Sequence, residues 1–340
     1  MPFTLTDAGC DPAHLELPAG PTTFEVTNKG ADAVTEMELM QNGHIVGEVE
    51  NLTPGLSGSF TVTLSPGTYQ SVCPNGSSAA KGQVVVTGDT SSTTAAASAS
   101  AASAVAEYRE YVEGEAAKLV TDTTAFVKAV KAGNVAKAKQ LYPAARTHYE
   151  TIEPIAESFG DLDPEIDARE NDVSAADFKG FHRIEKQLWQ AGDTHGMVPV
   201  ADELLVDVKK LQGLIPTIKL EPAQIANGAV ELMNEVANGK ITGEEDRYSH
   251  TDLWDFDAND DGAMAAFDAL RPLVAAKNAG LAGTIDRQFA ATDEALDVYK
   301  TPTGFKLYTE LTPAQTKALA ARVEAVADSL AQVAPTVVGS

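Results

Sequence analysis

In the segment Lys179-Gly180-Phe181-His182-Arg183-Ile184-Glu185-Lys186-Gln187-Leu188-Trp189, a histidine and a glutamate stand three residues apart. In a helix that spacing puts His182 and Glu185 on one face. An imidazole nitrogen and a carboxylate could then reach a single ion, a donor pair suited to zinc or iron. Two ligands hold an ion weakly, so other helices must contribute, as they do in metal centres built inside bundles. Glu113 and Glu115 upstream, and the run Gly243-Glu244-Glu245-Asp246-Arg247-Tyr248-Ser249-His250-Thr251-Asp252-Leu253-Trp254 downstream, offer carboxylates and a further imidazole. The same His-x-x-Glu pair also occurs on solvated or ion-paired helix faces, so spacing alone leaves both readings open.

Cys10 and Cys73 are the only cysteines, and both fall in the first ninety residues. A pair inside one small unit reads either as a disulfide, which implies an oxidising compartment, or as two thiolates for a soft metal. A blue copper centre needs two histidines beside the cysteine. Only His14 and His44 precede Cys73, and neither histidine nor methionine follows it within the unit. Asp257-Ala258-Asn259-Asp260-Asp261-Gly262 followed by Asp268 fits much of a calcium-loop template, with Asp where a bidentate Glu is usual. It is expected as an acidic loop capping a helix that starts near Ala263. No His-Glu-x-x-His, Gly-x-Ser-x-Gly or glycine-rich phosphate loop occurs. A metallohydrolase at the His182 pair would need an open metal position and a base such as Glu185, which could then not serve as a ligand.

These groups must be positioned by two kinds of element. From 1 to 88, short alternating apolar runs are separated by turn residues such as Asn42-Gly43 and Ser65-Pro66-Gly67, and they predict an antiparallel β-sandwich. The stretch 89–103, DTSSTTAAASASAAS, has no large apolar residue and reads as a flexible linker whose alanines extend the next helix backwards by a turn. From 104 to 340 the period turns helical, which predicts an all-α bundle, with Pro143 and Pro154 expected to kink or break its second helix. Acidic residues number 49 against 25 basic ones, a net charge of -24, which repels phosphate backbones and sets nucleic acid aside. No stretch approaches a transmembrane span, and no basic-then-apolar leader is present.

KGFHRIEKQLW together with ITGEEDRYSHTDLWDF resembles the signature of the imelysin-like family, also filed as a peptidase family, as found in EfeO-type iron-uptake proteins. LVTDTTAFVKAVKAGNVAKAKQLY and HYETIEPIAESFGDLDPEIDARE are similar to the same family, and the N-terminal unit to its cupredoxin-type domain. The resemblance implies an extracytoplasmic protein that binds ferrous or ferric iron, with zinc as the other candidate ion, and acts beside a membrane permease and a haem peroxidase. It implies His182 and Glu185 as metal ligands, with Glu115 and Glu245 added. In the sandwich, Cys10, Glu36 and Cys73 match positions proposed as a metal site, with copper as the candidate ion, while Gln70 stands where an acidic residue is expected. A relative built from the helical domain alone is associated with alginate. An acidic polysaccharide would be repelled by the charge of -24 unless a divalent cation bridged the two.

Overall fold

A computed structural model describes residues 1–77, 81–88 and 95–338. Alternation builds the N-terminal unit. Phe3 and Leu5 in β1 (Pro2–Thr6), Phe24 and Val26 in β4 (Gly20–Asn28) and Phe60, Val62 and Leu64 in β7 (Ser57–Leu64) are all buried, the period of two that a strand shows when one face covers a core. These strands form one sheet in the order β2-β1-β4-β7, where β2 is Gly9–Asp11. The second sheet runs β3-β9-β8-β5-β6: His14–Pro18, Gly82–Thr87, Gly67–Val72, Met37–Gln41 and His44–Val49. The β1–β4 and β3–β9 pairs are parallel, so the sandwich is mixed rather than purely antiparallel. Asn42 and Gly43, both with positive φ, make the tight turn between β5 and β6.

Cys10 in β2 and Cys73 just beyond β8 are joined in a disulfide that ties one sheet to the other. Bonded to one another, the sulfurs offer no thiolate pair. Of the two open readings of this pair the structure carries the disulfide, and not the set of Cys10, Glu36 and Cys73 matched by resemblance as a copper site.

The first helix, α1 (Ala95–Lys131), begins well before 104, so 95–103 are helical and the rest of the expected linker, 89–94, lies outside the described residues. Its alanines are the best helix formers and nothing in the run breaks the helix. It is followed by α2 (Val135–Ile152), α3 (Leu162–Asp167), α4 (Gly180–Lys186), α5 (Met197–Leu214) and α6 (Pro222–Asn238). After these come α7 (Asp252–Lys277), α8 (Ala279–Asp297), α9 (Pro313–Leu330) and the short α10 (Val333–Val338). The second helix runs through Pro143 and gives way to a tighter turn at Pro154. The expected acidic loop at 257–262 is instead the interior of α7. Gly262 allows this, because a Cβ there would stand 2.3 Å from the Thr151 carbonyl oxygen at the end of α2.

The two units meet where β7, a sheet edge, faces α6. The Asn227 amide donates to the Thr61 carbonyl at 2.9 Å and accepts from the Thr61 amide at 3.3 Å, supplying the partner that an edge strand lacks.

Candidate metal centre

Several elements converge on His182. Tyr142, Arg146 and Glu150 follow one another at four-residue steps on a single face of α2, and all are fully buried. Asp167 is the last residue of α3. His182 and Glu185 ride on α4, whose first residue, Gly180, has φ +73 and would place a Cβ 2.1 Å from the Ile166 carbonyl oxygen. Only glycine lets α4 start that close to the end of α3 and so bring His182 beside Asp167. Glu245 and Asp246 come from the loop before α7, and Asp252 and Asp255 from its first turn. Phe126, Tyr142, Phe181 and Trp189 pack against one another in tilted and edge-on pairs, and the Tyr142 hydroxyl lies 3.4 Å from His182 Nδ1.

Two groups of metal-capable atoms share the histidine: Asp167, His182 and Glu245 on one side, and His182, Glu185 and Asp246 on the other, each with ligand atoms within 4.8 Å of one another. Nδ1 of His182 lies 3.1 Å from Glu185 Oε2, and Nε2 lies 3.2 Å from Glu245 Oε1. The remaining oxygen of Glu185 accepts from the backbone amides of Tyr248 at 2.9 Å and Ser249 at 2.7 Å. Burial alone would push the Glu185 carboxyl up, but the His182 hydrogen bond and these two amides hold it below the usual carboxylate value. Glu245 is held lower still: its burial is outweighed by Lys240, the His182 hydrogen bond, Arg146 and Arg169. Both are anions ready for an ion.

The resident cation is Arg146. Its guanidinium donates to Glu150, to Asp167 and, at 3.0 Å, to Glu245, while Nη1 stands 2.8 Å from His182 Nε2. Burial and Arg146 oppose protonation of His182, yet the hydrogen bonds to Glu185 and Glu245 and the charge of Asp167 outweigh them and push the imidazole up to about 10. A metal binding at this ring must displace that proton. Next to Arg146, both oxygens of the fully buried Asp255 and one of Asp252 have no hydrogen-bond partner. Burial and the charge of Asp246 raise Asp252 to about 8 and Asp255 well above the carboxylate range. Orphaned buried oxygens beside a nitrogen and several carboxylates are the donor set that fits a cation. A cavity of about 720 Å³ between the two units reaches this centre through Asp167 and Glu245, and Glu36, Glu48 and Glu50 line its sandwich wall.

The chain matches the imelysin family profile over residues 104–333 and the cupredoxin-like domain profile over residues 2–86. It is 44% identical over 338 residues to "Iron uptake system component EfeO" of Escherichia coli O157:H7, covering 97% of this chain and 89% of the relative. The chain belongs to the EfeO family of iron uptake components. The EfeO protein of Shigella flexneri matches at the same identity and coverage. Among solved structures, a purple cupredoxin from Nitrosopumilus maritimus is 23% identical, with a TM-score of 0.20, over 25% of this chain and 98% of that one.

Of the residues expected as ligands in this EfeO-family chain, the structure brings together His182, Glu185 and Glu245 but pairs Glu115 elsewhere. Glu115 accepts from His148 at 2.8 Å and from Lys118 at 2.7 Å, and Glu113 is exposed. Asp246 belongs to the 243–254 run, whereas Asp167, Asp255 and Arg146 have no local spacing in the sequence that marks them. Asp246 and Asp255 lie within or beside the acidic segment already noted, but Arg146 is an ordinary cation on a helix until its neighbours are known. Glu36 joins Glu38 and Glu48, with carboxylate oxygens within 4.8 Å of one another.

Proposed function

We propose that the protein is an extracytoplasmic iron-binding and delivery component. It takes Fe²⁺ or Fe³⁺ as cargo at one ring nitrogen of His182, with Glu185 and Asp246 as the ligands on the Nδ1 side, Glu245 and Asp167 as those on the Nε2 side, and zinc as the competing ion. The observation that carries this reading is the sharing of one imidazole by two carboxylate pairs at the foot of a solvent-reaching cleft. Histidine with carboxylates is a donor set that iron and zinc accept. Iron, the metal that the name of its EfeO relatives carries, fits that donor set. Delivery would run to a membrane permease with a haem peroxidase in the same system. Binding is favoured over hydrolysis because Glu185, once it ligates the ion, cannot also serve as the base of a hydrolase at this pair.

Titration with Fe²⁺ without oxygen, and with Fe³⁺ and Zn²⁺ in air, tests the site. His182→Ala and Glu185→Ala are each expected to weaken binding tenfold or more, while Glu115→Gln leaves it within twofold. Parental affinity in both alanine variants would place the site elsewhere.

A further inference from the structure

The face of α7 turned away from His182 carries a second set of carboxylates. Asp257, Asp260 and Asp261 are spaced i, i+3, i+4 on α7, and Asp293 and Asp297 are spaced i, i+4 on α8, the helix packed beside it. Lys300 meets Asp257 at 3.4 Å and Asp297 at 2.8 Å. Among the described residues no ion pair reaches Asp260, Asp261 or Asp293.

Asp260 is only 2% exposed, and neither of its oxygens has a hydrogen-bond partner. Its carboxyl faces that of Asp293, another acceptor, and burial together with the charges of Asp293, Asp261 and Asp257 drives its pKa well above the carboxylate range. A buried carboxylate without a donor is costly. Two things relieve the cost: a proton shared with Asp293, or a cation between them. Asp261 is exposed and Asp293 half-buried, so the groove opens to solvent and an ion can enter.

We propose that the groove between α7 and α8 is a second cation site, in which Asp260 and Asp293 bind a hard divalent ion of the Mg²⁺, Mn²⁺ or Ca²⁺ class. The carboxylates facing one another here offer oxygen alone, with no imidazole or thiolate among them, which sets the site apart from the His182 centre and disfavours zinc or copper. Two carboxylates with waters completing the shell are a common arrangement for such ions. Asp257 and Asp261 add charge without having to ligate.

The test uses the full chain, stripped of metal, with Tb³⁺ luminescence excited through nearby tyrosine and competed with Ca²⁺, Mg²⁺ and Mn²⁺. Tyr111 on α1 lies close enough to feel the charge of Asp261 and can serve as the antenna. Direct calorimetry with Mn²⁺ accompanies it. The expected result is a Tb³⁺ signal retained in His182→Ala, displaced by at least one of the three ions, and weakened tenfold or more in Asp293→Asn and in Asp260→Asn. Asp293→Asn, at the half-buried partner, guards against a folding failure of the buried variant, and circular dichroism checks both. The proposal is overturned if the double variant Asp260→Asn, Asp293→Asn binds Tb³⁺ and Mn²⁺ like the parent. It is equally overturned if the parent binds none of the ions at millimolar concentration, which leaves a proton-sharing pair.

Discussion

Helix α7 presents acid on two faces, and the two are neutralised differently. Toward α2 and α4, Asp252 and Asp255 enter a centre that contains Arg146, His182 and, nearby, Lys240, every one of them buried. Toward α8, Asp257, Asp260 and Asp261 meet more aspartates and a single half-exposed lysine at the rim. Residue type is the same on both faces, and what differs is the counter-ion. A buried guanidinium fixes the inner carboxylates in place and makes any incoming metal its competitor, whereas the outer carboxylates have only the rim Lys300, paired with Asp257 and Asp297. The difference teaches that an acidic cluster acquires a chemical character from its partners: nitrogen and oxygen donors within, oxygen alone without.

The contrast breaks most readily at Arg146. Replacing it with methionine removes one counter-ion of Glu150 and Glu245, which keep Lys240 and Arg169, and the guanidinium paired with Asp167; it is expected to cost the metal-free protein about 3–5 kcal/mol, read as a lowered urea midpoint. Iron should restore part of that loss by taking over the neutralisation. A midpoint within experimental error of the parent would mean that Arg146 does not hold the inner face together.

A smaller effect sharpens the contrast from the ligand side. Glu245→Gln removes an anion that faces His182, Arg146 and Arg169, and should weaken iron binding about tenfold, or about 1.4 kcal/mol, while leaving Mn²⁺ uptake in the α7–α8 groove unchanged. Equal losses for the two ions would show that the faces are one coupled site. Smallest of all is Lys300→Ala: its pairs are solvent-exposed, so stability should move by less than about 1 kcal/mol, measured by the same urea titration. A larger drop would reveal that the outer face, too, depends on a fixed protein cation.

Part of this was legible without coordinates. The turn residues and alternation of the first 88 residues read as strands, and the later period read as helices, because strand and helix expose side chains at different repeats. His182 and Glu185 could be paired because their relation is local to one turn of helix. Asn259, Asp260, Asp261 and Gly262 misled, since such residues favour caps and turns by bonding their own backbone. Here they are helical because Gly262 packs against the Thr151 carbonyl and α7 is held on both sides, a tertiary reason that local preference does not contain. Glu115 misled in the opposite sense: it lies on a metal-plausible helix, but His148 on α2 claims it.

By itself the sequence determined the two kinds of domain, the excess of negative charge and the His-x-x-Glu pair, all of which depend on composition or on neighbours a few residues apart. Only the tertiary structure decided which carboxylates surround His182, that Arg146 stands among them, that Cys10 and Cys73 are joined, and that one face of α7 is balanced while the other is left with an unpartnered aspartate. Those relations join residues tens to more than a hundred positions apart. Their energies arise from burial in a shared low-dielectric interior, where a charge is worth what its spatial neighbours make of it.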